Sequence, residues 1–126
     1  MASFMKGYRE QAYAALRIVS GFTFMCHGGS KLFGFPVPPP SGAPAAILYS
    51  AGPIELIGGA LIMIGLFTRW SAFLCSGTMA VAYWLAHGTK GLLPIQNGGE
   101  LAAIYSFLYL YIAARGAGIW SVDGTD

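Results

Sequence analysis

Apolar and small residues run almost unbroken from Ile47 to Arg69, and before Thr68 and Arg69 the stretch ILYSAGPIELIGGALIMIGLFTR carries one charge, Glu55. At ~1.5 Å of rise per residue such a run crosses the ~30 Å hydrocarbon core of a bilayer, which predicts a membrane-spanning helix over 47–67. Three further spans are expected, over 8–31, 70–86 and 99–115, with glycine and proline clusters between them. The fold class is therefore all-α: an integral membrane four-helix antiparallel bundle forming a single domain over 1–126. The proline-rich stretch FGFPVPPPSGAP reads as a connector outside the hydrocarbon, and HGTKGLLPIQNGG as an interfacial loop.

The polar positions inside these runs are few and patterned. At ~100° per residue Arg17, Ser20, Gly21, Phe24, His27, Gly28 and Lys31 fall on one side of the first helix, with Cys26 opposite Arg17. In the third, Ser76, Ala80, Tyr83 and His87 share a face. A charge within hydrocarbon costs about 2.5 to 3.5 kcal/mol on insertion scales, so Glu55 must face protein, and Gly52, Gly58 and Gly59 beside it suit close helix packing. Arg17 lies at a similar depth by rise per residue, which predicts an interhelical Arg17–Glu55 ion pair. Asn97 followed by Glu100 reads as a capping box opening the fourth helix.

Composition agrees with the pattern, since 56% hydrophobic residues and 10% charge are unlike a soluble chain of 126 residues. The net charge of +2 forms no basic run, which removes nucleic acid as a partner and leaves membrane lipid. Lys6, Arg9, Arg69 and Arg115 on the terminal side outnumber Lys31 and Lys90, so the positive-inside rule puts both termini in the cytoplasm. Cys26 and Cys75 form no metal-type spacing, sit at different depths, and read as packing residues.

His27, Lys31, His87, Lys90, Asn97 and Glu100 all fall near the non-cytoplasmic helix ends, and this cluster is the candidate ligand site. Neutral imidazole can meet a metal or a quinone oxygen, although interior histidines commonly serve as hydrogen-bonded packing. Glu100 has a capping task to weigh against a ligand role, and lysines at span ends usually reach for headgroups. No residue set reads as a metal site. Arg17 and Glu55 are weighed between a register-fixing pair and a proton or quinone-headgroup site. Tyr105, Tyr109 and Tyr111 read as packing or lipid-facing aromatics rather than a quinone clamp.

Several blocks in order resemble the DoxX family: Arg17 to Gly21, His27 to Leu32, Glu55 to Arg69, Asn97 to Glu100 and Arg115 to Asp123. The resemblance covers roughly Arg9 to Asp123. It implies a small multi-pass protein of the bacterial inner membrane, tied to quinone-linked or thiol-linked redox systems, with no assigned catalytic residue. Quinone is the cofactor that the resemblance suggests, and a larger membrane complex or redox partner is expected. Related families resemble assembly helpers, so a non-catalytic accessory subunit is the alternative.

Overall fold

The structure, a computed structural model, describes residues 3–125. Met1, Ala2 and Asp126, part of the single domain expected over 1–126, lie outside the described residues. The described residues are all-helical with no strand. After a single 3-10 turn at Lys6–Tyr8 come α1 (Arg9–Phe33), α2 (Ala45–Ile64), α3 (Thr68–Ala86), the one-turn α4 (Pro94–Asn97) and α5 (Glu100–Arg115). The four long helices match the four expected runs to within a few residues. Helix α4 lies inside the stretch expected to be a loop, because Pro94 suits the first helical position and the Gln96 Oε1 accepts the Leu93 N–H at 3.1 Å.

Among the described residues only α2 is both long and apolar enough by composition to cross a membrane. Helix α1 is interrupted by Arg9, Glu10, Arg17 and Lys31, and α5 has 16 residues, which rise ~24 Å.

Helix α1 packs on α2, α2 on α3, and α3 on α5. Glycine sets the first contact. A Cβ placed on Gly21 would lie 2.5 Å from the Met63 nitrogen and 2.8 Å from the Gly59 oxygen, and one on Gly28 would lie 2.7 Å from the Gly52 oxygen. Backbone therefore touches backbone along two turns, and the pairing of 21 with 59–63 and 28 with 52–56 runs the two helices antiparallel. Ser76 and Ser106 tie α3 to α5 by reciprocal bonds, each hydroxyl donating to the other's carbonyl at 2.6 and 3.1 Å.

Helix α5 meets α1 through large side chains. Phe24 packs its ring 5.1 Å from Tyr105 and 5.0 Å from Tyr109 by centroids, the Tyr109 hydroxyl donates to the Ser20 carbonyl at 2.8 Å, and Tyr105 and Thr23 hydroxyls meet at 2.5 Å. Tyr105 and Tyr109 are thus core residues, whereas Tyr111 is 52% exposed. Cys75 is buried in the same core and Cys26 is half-buried, and both are free thiols.

The end of the molecule where α1 begins is closed by the segment that follows α5. The Asp123 carboxylate accepts the Phe67 and Thr68 N–H groups at 3.1 and 2.9 Å, capping the start of α3 from 55 residues away. Its own N–H donates to the Gly65 carbonyl at 2.8 Å, and Val122 does the same to Ile64 at 3.1 Å. Gly65 makes this turn possible: at φ +72° it ends α2 in the left-handed region.

Candidate functional site

The opposite end, where α1 and α3 finish and α2 and α5 begin, holds a cavity of about 580 Å³. Its polar lining comes from four elements: His27 and Lys31 on α1, Glu55 on α2, His87 and Lys90 just beyond α3, and Tyr105 on α5. Phe24, Ile47, Leu48, Met79 and Leu101 supply apolar walls, and residues Pro40 to Pro44 of the first connector close one side. Four residues of the predicted outer cluster, His27, Lys31, His87 and Lys90, are therefore brought to one space. Asn97 and Glu100 are not among its lining residues.

Glu55 is the most deeply placed of these groups. Its side chain is 2% exposed and Oε1 accepts from Lys31 Nζ at 2.8 Å, while Oε2 is buried with no hydrogen-bond partner. The expected Arg17–Glu55 pair does not form. The glycine contacts fix the register so that Gly28 sits against Gly52 and Leu56, and Lys31, nearly one turn further on, leans back over Glu55. The same register carries Arg17 down to the last turn of α2, some seven residues or ~11 Å below Glu55.

There the fully buried Arg17 meets carbonyls instead of a carboxylate. Its Nη1 donates to Ile62 and Met63 at 2.9 and 2.7 Å, Nε to Ala117 at 2.9 Å, and Nη2 to Ile119 and Trp120 at 3.1 and 2.7 Å. All five donors of the guanidinium fork are aimed at backbone, two at carbonyls in the last turn of α2 and three at carbonyls of residues 117–120. This is a structural clamp, remote from the cavity.

At the cavity's edge, His87 Nδ1 lies 3.2 Å from the Asn97 carbonyl. A carbonyl can only accept, so Nδ1 carries a proton and Nε2 is the ring nitrogen left to face the cavity. Asn97 is buried and fully employed: Nδ2 donates to the Tyr83 hydroxyl at 2.9 Å and the Gly91 carbonyl at 3.3 Å, and Oδ1 accepts the Gly99 N–H at 2.8 Å. It supports His87 rather than facing a ligand. The expected Asn97–Glu100 capping box is replaced by this turn, with Gly99 at the helix start and Glu100 exposed in the first turn of α5. His27 stands edge-on to Tyr105, with ring centroids 6.1 Å apart.

Among the described residues no three of His, Cys, Asp and Glu converge as metal ligands would. The cavity combines a cation–carboxylate pair, two imidazoles and apolar walls. Sequence reasoning placed both histidines, Lys31 and Lys90 in the cluster, but set Glu55 with Arg17 and read Tyr105 as packing. The signal for Lys31 was its place on the Arg17 face of α1, and for Tyr105 there was none beyond its position among aromatics.

Comparison with known proteins supports the family over the first three blocks, Arg17–Gly21, His27–Leu32 and Glu55–Arg69, and the family model ends before Asn97. The family model described as DoxX matches residues 12–88. An uncharacterized protein of Haemophilus influenzae (strain Rd) is 44% identical over 125 residues, covering 94% of this chain and 93% of its own length. A second uncharacterized protein of that organism is 35% identical over 69 residues, 55% of this chain and 46% of its own. No solved structure matches.

Proposed function

The chain belongs to the DoxX family of small membrane proteins, and from that premise we propose that it is the membrane subunit of a redox-linked system that binds quinone in the cavity between α1, α2, α3 and α5. In this reading all four long helices span the bacterial inner membrane, with the termini cytoplasmic and the cavity toward the other face. The spans of α1, α3 and α5 would be tolerated because their polar residues point into the bundle, as Arg17, Ser76 and Tyr109 do.

One observation carries the proposal: a cavity of about 580 Å³, within the usual range for small-ligand sites, joins hydrogen-bonding groups at one end of the molecule to walls of hydrocarbon. Lys31 keeps N–H donors beyond the one given to Glu55, and these suit a quinone carbonyl oxygen. With Nδ1 donating to Asn97, the His87 Nε2 lone pair suits the hydroxyl of the reduced ring. Quinone supplies the electron chemistry when bound; the residues here bind and orient it.

The test is quinone content of the protein purified in mild detergent from a quinone-containing membrane. Retained quinone that is lost in His87→Ala is expected. A protein free of quinone that still co-purifies with a large membrane complex would replace this reading with the accessory-subunit one.

A further inference from the structure

A second concavity, about 760 Å³, runs between α2 and α3, and it is lined by Ile54, Trp70, Phe73, Gly77 and Val81 among others. Its lining spans Trp70 to Ala86, which is ~24 Å along α3. The gap exists because small residues face it. Helices α2 and α3 close on each other where Gly58 meets the Cys75 sulfur, but beside that contact a Cβ placed on Gly77 meets nothing within 4 Å.

The groove is continuous with the polar cavity. Ile47, Ala51, Ala82, Leu85 and Ala86 line both. Three of these five are alanines, which leave the threshold between the two spaces open between Ile47 and Leu85.

We propose that cavity and groove are one binding site for a single amphiphile, whose polar ring sits beside Lys31 and His87 and whose polyisoprenoid tail lies along α3 to the level of Trp70. This rests on the quinone reading and adds to it that the ligand is a long-tailed lipid-soluble quinone, not a water-soluble small oxidant. A ring in the cavity must send its tail somewhere. One side is closed by Pro40 to Pro44, whereas the threshold of Ile47, Ala51, Ala82, Leu85 and Ala86 opens into the apolar groove.

Lipid chains are as apolar as Ile54 or Val81, so a tail leaving bilayer for groove gains little from the hydrophobic effect. What the groove contributes is direction: it fixes which side of the bundle the tail leaves by, and so the orientation of the ring. The decisive readout is therefore where the tail lies.

The full chain is placed in nanodiscs of phosphatidylcholine with a ubiquinone analogue carrying a diazirine midway along its tail, irradiated, and the adducts are mapped by mass spectrometry. Labelling of Ile54, Phe73, Gly77 and Val81 is expected to exceed that of the outward residues Phe107 and Leu110 of α5 about tenfold, the ratio that a preference of about 1.4 kcal/mol produces. Gly77→Phe, which fills the groove where space is open, is expected to abolish the groove adducts while quinone is still retained. Quinone retained with adducts spread evenly around the bundle overturns the shared site and leaves the quinone reading standing. Groove adducts displaced by added phosphatidylglycerol without loss of quinone overturn it as well, by making the groove a phospholipid site. No retained quinone at all removes both.

Discussion

Replacing Arg17 tests whether the two ends of the chain are held by one side chain. Its five hydrogen bonds, 2.7 to 3.1 Å long, all come from a charged donor. At the low end of ~1.5 kcal/mol each, they amount to about 8 kcal/mol. Arg17→Met gives several kcal/mol of this back, because it also removes the cost of burying the charge, leaving an expected loss of about 3 to 5 kcal/mol. Arg17→Lys separates charge from geometry. It keeps the charge but offers three donors to five carbonyls, so at least two bonds go, for a loss of about 3 kcal/mol. The assay is unfolding in mixed micelles of rising dodecyl sulfate content, paired with chymotryptic cleavage after Trp120, whose carbonyl Arg17 holds. Both variants should unfold earlier and be cut faster. If Arg17→Lys lies within about 0.5 kcal/mol of the parent and Trp120 stays protected, the clamp is not what orders residues 117–120.

Three further outcomes follow from the contacts described. Lys31→Met strands the Glu55 carboxylate and should cost roughly 3 kcal/mol, while the double change with Glu55→Gln should cost less than the sum, with a coupling above about 0.5 kcal/mol in a thermal-unfolding cycle; additive losses would mean that Lys31 does not serve Glu55. Gly59→Ala, whose Cβ would lie 2.5 Å from the Met25 nitrogen, should lower stability by about 1 to 2 kcal/mol, since overpacking outweighs the gain in helix propensity, whereas Gly77→Ala in open space should raise it by roughly 0.5 to 1 kcal/mol; a like sign for both in the same unfolding assay would contradict the close approach. Asp123 has its pKa lowered, first by the Thr68 N–H it accepts, so its contribution is present above the ordinary carboxylate range and fades as pH falls through the lowered value. Asp123→Ala should therefore cost about 1 kcal/mol at neutral pH and converge with the parent on acidification, and a gap that widens with acid would refute the cap.

The long helices were legible because each is a run of apolar residues closed by glycine or proline, and the buried face of α1 was legible because Arg17, Ser20, Gly21, Phe24 and Gly28 repeat at helical spacing. Pairing was a different matter. The sequence offers Glu55 two basic residues on the same face of α1, and only the glycine register decides that Lys31 reaches it. Arg17 was misassigned because backbone carbonyls leave no mark in a sequence: nothing in GAGIW announces that it will wrap a guanidinium. Asn97 and Glu100 have capping-box spacing, but Gly98 at φ +76° breaks the helix between them, so Asn97 folds back on Gly99 and His87 instead. Of the outer cluster, His27, Lys31, His87 and Lys90 line one cavity, whereas Asn97, turned inward by the bend after α4, and Glu100, exposed in the first turn of α5, do not.

The Arg17 clamp also sets a timetable for synthesis. Its Nε partner, Ala117, is 100 residues further along the chain. At about 5 to 20 residues per second that carbonyl is made on the order of 5 to 20 s after Arg17. Ile62 and Met63 arrive roughly halfway through that wait and can take only Nη1. Through the interval the guanidinium has at most two of its five carbonyl partners. The strap of residues 117–123 then supplies the other three carbonyls, so the clamp that fixes α1 against the end of α2 is completed only once that strap has been made.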